Sequence, residues 1–364
     1  MTERIVVGMS GGVDSSVAAA LLVEQGFDVI GITLRVWPWR EPEEATRKFG
    51  SCCSPESVDD ARAVARRLGI PYYLLNAEAE FERSVIEPFA RTYAAGRTPV
   101  PCVACNRDVK FGSLVQRARA WDAVAVATGH YARITRDRTT GRFLLWRGRD
   151  ARKDQSDFLW PLTQAQLAAA RFPVGDLGKD AVREKARALG LATADKPESQ
   201  EICFIPDNDY RGFLRRRIPE AFEPGPIVDG QGTQLGRHEG LVNYTVGQRR
   251  GLGLSSARPL YVTALDPSRN AVVVGAADRV DVERIRAEQI NFIAMPALTG
   301  SLAVAAKIRH SHEAAAATIE PLEPGAVLVR FERPQRAPAP GQSVVFYQGD
   351  LVVGGGVIAR AEVP

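Results

Sequence analysis

The chain has 364 residues, of which 45% are hydrophobic and 25% charged, with 47 basic against 43 acidic side chains. That length exceeds one ordinary core and calls for two or three domains, and the composition is that of a folded globular protein, which excludes a disordered or low-complexity chain. A net charge of +4 does not by itself argue for a nucleic-acid partner, no apolar run approaches the ~20 residues of a membrane span, and five cysteines are too few for a disulfide scaffold. The start, Met1-Thr2-Glu3-Arg4, runs directly into a strand with no apolar signal region, so a cytoplasmic protein without membrane contact is expected.

In chain order, the first 128 residues alternate strand and helix. Ile5–Val7, Asp28–Leu34, Tyr72–Leu75 and Ala123–Ala127 read as buried strands, with helical stretches near 13–25, 56–68, 79–95 and 109–119. Such interleaving specifies a parallel sheet with helices on both faces, and ligands of such sheets sit at the carboxyl ends of the strands. The loop after the first strand, Leu34, and Gly129-His130 would gather there. Residues 36–55 form a long irregular insertion. In it, Trp37 and Trp39 read as core or loop packing rather than as a platform for stacking a base, and the adjacent Cys52 and Cys53, poorly spaced for chelation, as buried small hydrophobes. A hairpin is expected over 131–147, then helices near 163–170 and 178–189, then the loop from Ala194 to Phe204. Past residue 207 glycine and proline become frequent, with short β-like runs at Gly225–Val228, Leu260–Leu265 and Ala271–Val274. From about 284 alternating segments dominate, through Leu302–Ile308, Ala314–Ile319, Ala326–Phe331, Ser343–Tyr347 and Leu351–Ile358, which suggests a small barrel. The expected division is 1–206, 207–280 and 281–364.

The densest signal is Gly8-Met9-Ser10-Gly11-Gly12-Val13-Asp14-Ser15-Ser16, a tight loop between the first strand and the first helix. Gly11 and Gly12 lack a Cβ, so the backbone there can take positive φ and lie against a ligand. Successive N–H groups at the start of a helix then favour an anion such as a phosphate. No Gly-Lys-Ser/Thr closes the loop, so it is not a Walker A motif and has no lysine of its own for a γ-phosphate. It resembles the SGGxDS pyrophosphate loop of the adenylating ATP pyrophosphatases.

Cys102-Val103-Ala104-Cys105 is a Cys-x-x-Cys placed between one helix and the next, and Cys203 lies far along the chain. A lone Cys-x-x-Cys reads as a redox pair, half a zinc site or cluster ligands. No second pair completes a zinc site. Cys102, Cys105 and Cys203 would hold an iron–sulfur cluster with one open iron, or would divide into a nucleophile, a sulfur carrier and a bystander. Arg97, Arg107 and Lys110 are close enough in sequence to supply an electropositive field for a thiolate. Arg215-Arg216-Arg217, Arg249-Arg250 and Lys307-Arg309-His310-His312 are candidate phosphate contacts for RNA.

Together these motifs resemble one family. The loop Gly8–Ser15, Gly96-Arg97-Thr98-Pro99 running into Cys105-Asn106 with Lys110-Phe111, Ala127-Thr128-Gly129-His130-Tyr131-Ala132, Lys153-Asp154-Gln155-Ser156, Glu198-Ser199-Gln200-Glu201-Ile202-Cys203-Phe204 and Tyr244–Leu252 look like the tRNA-specific 2-thiouridylases. The resemblance spans most of the chain. It implies an α/β protein: an N-terminal adenine-nucleotide α-hydrolase-like domain built on a Rossmann-like PP-loop sheet, a small central tRNA-binding domain, and a C-terminal β-barrel. Gly8, Met9, Ser10, Gly11, Gly12, Val13, Asp14, Ser15, Leu34 and Gly129 would bind ATP, with Asp14 and Ser15 serving the phosphates and a Mg²⁺ ion. Cys105 would be the nucleophile that closes the reaction, and Cys203 would carry sulfur as a persulfide. Lys153, Asp154 and Gln155 would touch tRNA, as would Lys307, Arg309 and His310, while His130 and Gln342 lie where the family also approaches tRNA.

Where Cys102 stands, some members carry Asp. The cysteine form looks like the subgroup proposed to hold an iron–sulfur cluster through Cys102, Cys105 and Cys203, which makes a cluster-bound sulfide a rival to the persulfide. The implied reaction is ATP-dependent 2-thiolation of the wobble uridine, with tRNA as substrate and a cysteine desulfurase or sulfur-relay protein as donor. Adenylating the C2 carbonyl oxygen turns it into a leaving group. The alternative is an adenylating ligase or synthetase of small molecules sharing the loop, which needs neither an RNA surface nor three cysteines. A non-catalytic RNA-binding or relay protein would not need the intact glycine loop.

Overall fold

The computed structural model describes residues 2–36, 54–197, 202–205 and 208–362. Trp37, Trp39, Cys52, Cys53 and residues 198–201 of the Cys203 motif lie outside the described residues. The chain divides into two compact units. The first comprises Met1–Val85, Pro101–Asp209 and Asp350–Val352, and the second Ile86–Val100, Tyr210–Gly349 and Val353–Pro364.

The first unit is built on a parallel sheet whose strands are β1 (Arg4–Gly8), β2 (Asp28–Arg35), β3 (Tyr72–Asn76) and β4 (Ala123–Ala127). Its order is β3-β2-β1-β4, extended by a two-residue strand after β4 at Ala170–Arg171. That last strand is too short to leave a periodic signal and was not expected. β1 is buried on both faces, as its unbroken Ile5-Val6-Val7 run requires. Helix α1 (Val13–Glu24) packs Val13, Val17, Ala18 and Leu22 into the core with Ile5, Val7 and Ala127. Helix α2 (Pro55–Leu68) starts on Ser54, whose hydroxyl accepts the Ser57 N–H at 3.2 Å, and ends at Gly69 in the left-handed region.

Two helical stretches differ from expectation. The expected helix near 79–95 is α3 (Glu78–Phe81), a π-helical turn (Glu82–Ile86) and α4 (Glu87–Ala94). The one expected near 109–119 begins earlier. It runs as α5 (Pro101–Ala104), a π-helical segment (Cys105–Ser113) and α6 (Leu114–Arg119). Pro101 suits a first helical position, so Cys102 and Cys105 sit within helical backbone rather than between two helices. π-helical segments concentrate at functional sites. β5 (Ala132–Arg136) and β6 (Phe143–Arg147) form the expected hairpin, followed by α7 (Gln164–Ala169) and α8 (Lys179–Ala188). We number the Ala170–Arg171 strand β7.

The second unit holds α9 (Tyr210–Arg217) and two sheets. A small sheet of order β10-β11-β8-β9 joins β8 (Gly225–Val228), β9 (Gln234–His238), β10 (Tyr261–Asp266) and β11 (Ala271–Gly275) over Ile227, Val262, Val272 and Val274. The barrel consists of β12 (Asp281–Phe292), β13 (Leu302–Lys307), β14 (Ala315–Pro321), β15 (Ala326–Arg336), β16 (Ser343–Gln348) and β17 (Leu351–Ala361). Their order β12-β15-β14-β13-β16-β17 is closed by β12–β17 pairing, around Ile285, Val304, Ile319, Val329, Phe346 and Ile358. β9 is mostly exposed and β12 is interrupted by bulges, so neither announces itself by alternation. Among the described residues no helix is long and apolar enough to cross a membrane.

Candidate active site

The glycine loop leaves β1 at its carboxyl end and is fixed from behind. Met9 N–H donates to the Ile32 carbonyl at 2.7 Å, and Thr33 Oγ1 donates to the Met9 carbonyl at 2.6 Å. Tyr72 OH in turn donates to Thr33 Oγ1 at 2.8 Å. Ser10 N–H donates to Ser15 Oγ at 3.1 Å, and Ser16 Oγ donates to the Gly12 carbonyl at 2.8 Å. The loop is therefore set before any ligand arrives. Gly11 has φ +69°, and a Cβ there would stand 2.1 Å from the Ser57 carbonyl oxygen. Gly129 lies so close beneath α1 that a Cβ would stand 2.6 Å from the backbone of Asp14 and Ser15. The N-cap of α1 is Gly12, which has no side chain to satisfy the first backbone donors of the helix, and such helix starts suit an anion.

The missing lysine of the loop is supplied from elsewhere in the chain. Lys196 Nζ donates to the Gly11 carbonyl at 3.1 Å, to Ser57 Oγ at 3.2 Å and to Asp60 Oδ2 at 2.6 Å. A trans peptide carries its C=O and the next N–H on opposite sides, so holding the Gly11 carbonyl on the Lys196 side turns the Gly12 N–H the other way. Lys179, buried at the start of α8, donates through Nζ to both oxygens of Asp14 at 2.7 and 2.9 Å. Tyr131 OH donates to Asp14 Oδ1 at 2.7 Å. None of these three side chains stood out in the sequence as part of the site. A lysine far from the loop carries no local mark, and Tyr131 was visible only as a member of a longer motif.

Leu34 lies half-buried in β2 and Gly8 ends β1, both beside the loop. His130 is buried beside Phe111 and Phe172 at ring distances of 6.2 and 5.8 Å, and its Nδ1 shares a 2.7 Å hydrogen bond with Thr128 Oγ1. Burial, reinforced by the Lys110 charge, drives its pKa well below the ordinary 6.5, so the ring is neutral at pH 7. Asp154 is buried and accepts the N–H groups of Gly148 and Ser156, each at 3.1 Å. Gln155 Oε1 accepts the Tyr131 N–H at 3.1 Å, and Lys153 is half-buried on the same turn.

Cys102 is exposed, Cys105 and Cys203 are half-buried, and none of the three is in a disulfide. Cys105 opens the π-helical segment, which packs against α3. From α3, Phe81 meets Phe204 edge-on at 5.7 Å, so the neighbour of Cys203 and the Cys105 segment share α3 as a common support. The three cysteines do not form a ligand group for a metal ion, and the described residues contain no His, Cys, Asp or Glu group that does. Arg107 is engaged by Asp108 at 2.7 and 2.8 Å.

The comparisons with known proteins agree over the whole chain. The tRNA methyl transferase HUP domain matches residues 3–207, the tRNA methyl transferase PRC-barrel domain 211–276, and the aminomethyltransferase beta-barrel domain 282–358. The tRNA-specific 2-thiouridylase MnmA of Heliobacterium modesticaldum is 55% identical over 362 residues, covering 99% of this chain and 93% of that protein. That of Symbiobacterium thermophilum is 52% identical over 363 residues, with 99% and 93% covered, and that of Moorella thermoacetica 53% over 355 residues, with 97% and 98% covered. The chain belongs to the tRNA-specific 2-thiouridylase family.

In this 2-thiouridylase the remaining candidate residues lie in the second unit. Lys307 is buried at the end of β13, and Arg309 and His310 are exposed just after it. Arg309 Nη1 donates to the Arg336 carbonyl at 3.0 Å. Gln342 Nε2 donates to the Thr98 carbonyl at 3.1 Å, and Thr98 N–H donates to the Pro340 carbonyl at 2.7 Å. Gln342 thereby holds the Gly96–Pro99 stretch. Arg97 donates to the Ile358 carbonyl at 3.1 Å there.

Proposed function

We propose that the chain is an ATP-dependent sulfurtransferase that converts the wobble uridine of tRNA to 2-thiouridine. The observation that carries this reading is one unit holding both a glycine loop fixed by close backbone approach at the start of a helix and the half-buried thiols of Cys105 and Cys203. The relatives named as 2-thiouridylases over the full length point the same way, and against adenylation of a small molecule. In the proposed division of labour, residues 1–206 carry the chemistry, and 207–280 and 281–364 bind tRNA.

The uridine C2 oxygen attacks the α-phosphorus of ATP, and pyrophosphate departs onto the N–H groups of the glycine loop, donors placed ahead of the charge. Gly8–Ser15, Leu34 and Gly129 line this step. ATP brings Mg²⁺ as its usual counter-ion, and Asp14 is the loop carboxylate that would meet it. The terminal sulfur of a Cys203 persulfide then attacks C2. Cys105 attacks the Sγ of Cys203, the S–S bond breaks toward the substrate sulfur, and that sulfur's electron pair forms C2=S as AMP leaves. The Cys105–Cys203 disulfide so formed takes two electrons from a dithiol reductant before the next cycle. A cysteine desulfurase or sulfur-relay protein would reload Cys203 in the cytoplasm, where the tRNA is.

Among the described residues no three of His, Cys, Asp or Glu are grouped to hold a metal ion, and the proposed sulfur route runs through thiols alone. The bases of a tRNA loop are splayed out for chemistry of this kind. Lys153–Gln155, His130, Lys307, Arg309, His310 and Gln342 are the proposed tRNA-facing positions. Neutral His130 would serve there by packing or hydrogen bonding rather than by charge. The test is nucleoside analysis of tRNA after incubation with ATP and a sulfur donor. Wild type should yield 2-thiouridine, whereas Cys203→Ser and Cys105→Ser should yield none with tRNA affinity within about twofold of wild type. Undiminished product from Cys203→Ser would remove the sulfur assignment.

A further inference from the structure

The turn at residues 148–155 faces two ways. Outward it presents Arg149 and Arg152, whose side chains are 66% and 76% exposed and pair with Asp176 and Asp150 at 3.4 Å, beside half-buried Lys153. Inward it holds both side chains that grip Asp14. Asp150, 7% exposed, accepts the backbone N–H of Lys179 through Oδ2 at 3.1 Å and so fixes the start of α8. Gln155 accepts the Tyr131 N–H at 3.1 Å and donates its own N–H to the Tyr131 carbonyl at 3.0 Å. The turn approaches Tyr131 closely, since a Cβ on Gly148 would stand 2.8 Å from the Tyr131 carbonyl oxygen. Tyr131 OH and Lys179 Nζ then meet on Asp14, in the glycine loop.

We propose that this turn couples RNA engagement to the nucleotide loop, with Tyr131 as the positioning residue that transmits the coupling to Asp14. The inference rests on the reading above that tRNA meets the chain near Lys153. Phosphates landing on a cluster of cations load the outer face of the turn. Its inner face has no slack, because one carboxylate and one amide tie it to the two groups that orient Asp14. Hydrogen bonds in such half-dry networks are strong and mutually reinforcing. Coupling of this kind is reciprocal: tRNA must tighten ATP by the same factor by which ATP tightens tRNA. Tyr131 does no chemistry. It carries position from a surface turn to the loop that receives pyrophosphate.

The test measures Kd for a non-hydrolysable ATP analogue with and without tRNA, on the full-length protein. Wild type should show tightening of about fivefold or more, the lower end of ordinary coupling between sites. Tyr131→Phe keeps the ring and deletes the hydroxyl's bond to Asp14. Its coupling factor should fall to within twofold of unity, with tRNA affinity in the absence of nucleotide within about twofold of wild type. Gln155→Met cuts the same path at its other end and should show the same loss. The double variant should lose no more than either single one, because both substitutions break one chain of contacts. A Tyr131→Phe coupling factor within twofold of the wild-type value would overturn the proposal, as would additive losses in the double variant. Should Tyr131→Phe lose tRNA binding altogether, Asp150→Ala decides, because it frees the start of α8 and with it the Lys179 grip on Asp14; an unchanged coupling factor there would overturn the proposal. A wild type that thiolates tRNA without any coupling sinks this inference alone, whereas a wild type that makes no 2-thiouridine sinks the functional reading beneath it.

Discussion

The glycine loop and the barrel segment at Lys307–His310 are both candidate sites for phosphate, and they are built on opposite plans. The loop uses backbone: its donors are N–H groups, and its charged neighbours Asp14, Lys179 and Lys196 are already satisfied by one another or by Asp60. Nothing there can be moved without disturbing a hydrogen bond or a van der Waals contact. The barrel segment uses side chains: Arg309 and His310 stand exposed on the rim of a closed sheet, beside Ile308, which belongs to its core. The first plan suits a charge that must be met at one place at one moment of a reaction. The second suits a polyanion that needs only to be attracted.

The contrast is sharpest at glycines. Gly129→Ala places a methyl 2.6 Å from the backbone of Asp14 and Ser15, and no rotamer relieves a clash with backbone. ATP affinity should fall by at least about a hundredfold, as expected for losing several pre-placed donors together. Gly300→Ala, where nothing stands within 4 Å of the new methyl, should leave ATP and tRNA affinities unchanged. Titration by calorimetry checks both, and a normal ATP affinity for Gly129→Ala would break the claim that the loop is built by close approach. Next in size, Lys196→Met frees the Gly11 carbonyl and removes three charge-assisted bonds, to Gly11, Ser57 and Asp60. It should weaken ATP binding about tenfold, read in the same titration; an unchanged affinity would mean that the loop holds its shape without it.

How much of this was legible in the sequence follows the same division. The loop could be read because its geometry demands glycine at fixed positions next to a buried strand. The parallel sheet, the hairpin and most barrel strands were visible for a similar reason, since burial on one or both faces imposes a period. What escaped was whatever depends on residues meeting from far apart. Lys179 reaches Asp14 and Lys196 reaches Gly11 across most of the unit, and a lone lysine has no pattern. β7 was too short, and β12 too interrupted by bulges, to show a clean alternation. The π-helical backbone under Cys105 has no recognisable residue code. His130 shows the converse: its motif was plain, but its neutrality depends on burial and on Lys110.

That neutrality makes a smaller prediction. The folded-state pKa of His130 lies below its unfolded value near 6.5, so the unfolded chain binds the extra proton. The stability this neutral ring contributes is fully present above pH 6.5 and is lost as pH falls through the window below it. The thermal midpoint of wild type should therefore drop between pH 7 and pH 5 by more than that of His130→Gln; equal drops would show that the ring is not buried neutral. Smallest of all, Arg309→Ala on the barrel rim should leave ATP binding untouched and reduce the slope of log tRNA affinity against log salt by about one. An unchanged slope would remove it from the phosphate contacts and leave the barrel's share in binding without that support.

The stoichiometry of AMP against 2-thiouridine tests the account most directly. With purified protein, ATP, tRNA and a sulfur donor that charges Cys203, one AMP and one pyrophosphate should appear for each 2-thiouridine, and AMP should not accumulate at that rate when tRNA is left out. Formation of 2-thiouridine without AMP, or AMP production that ignores tRNA, would contradict it.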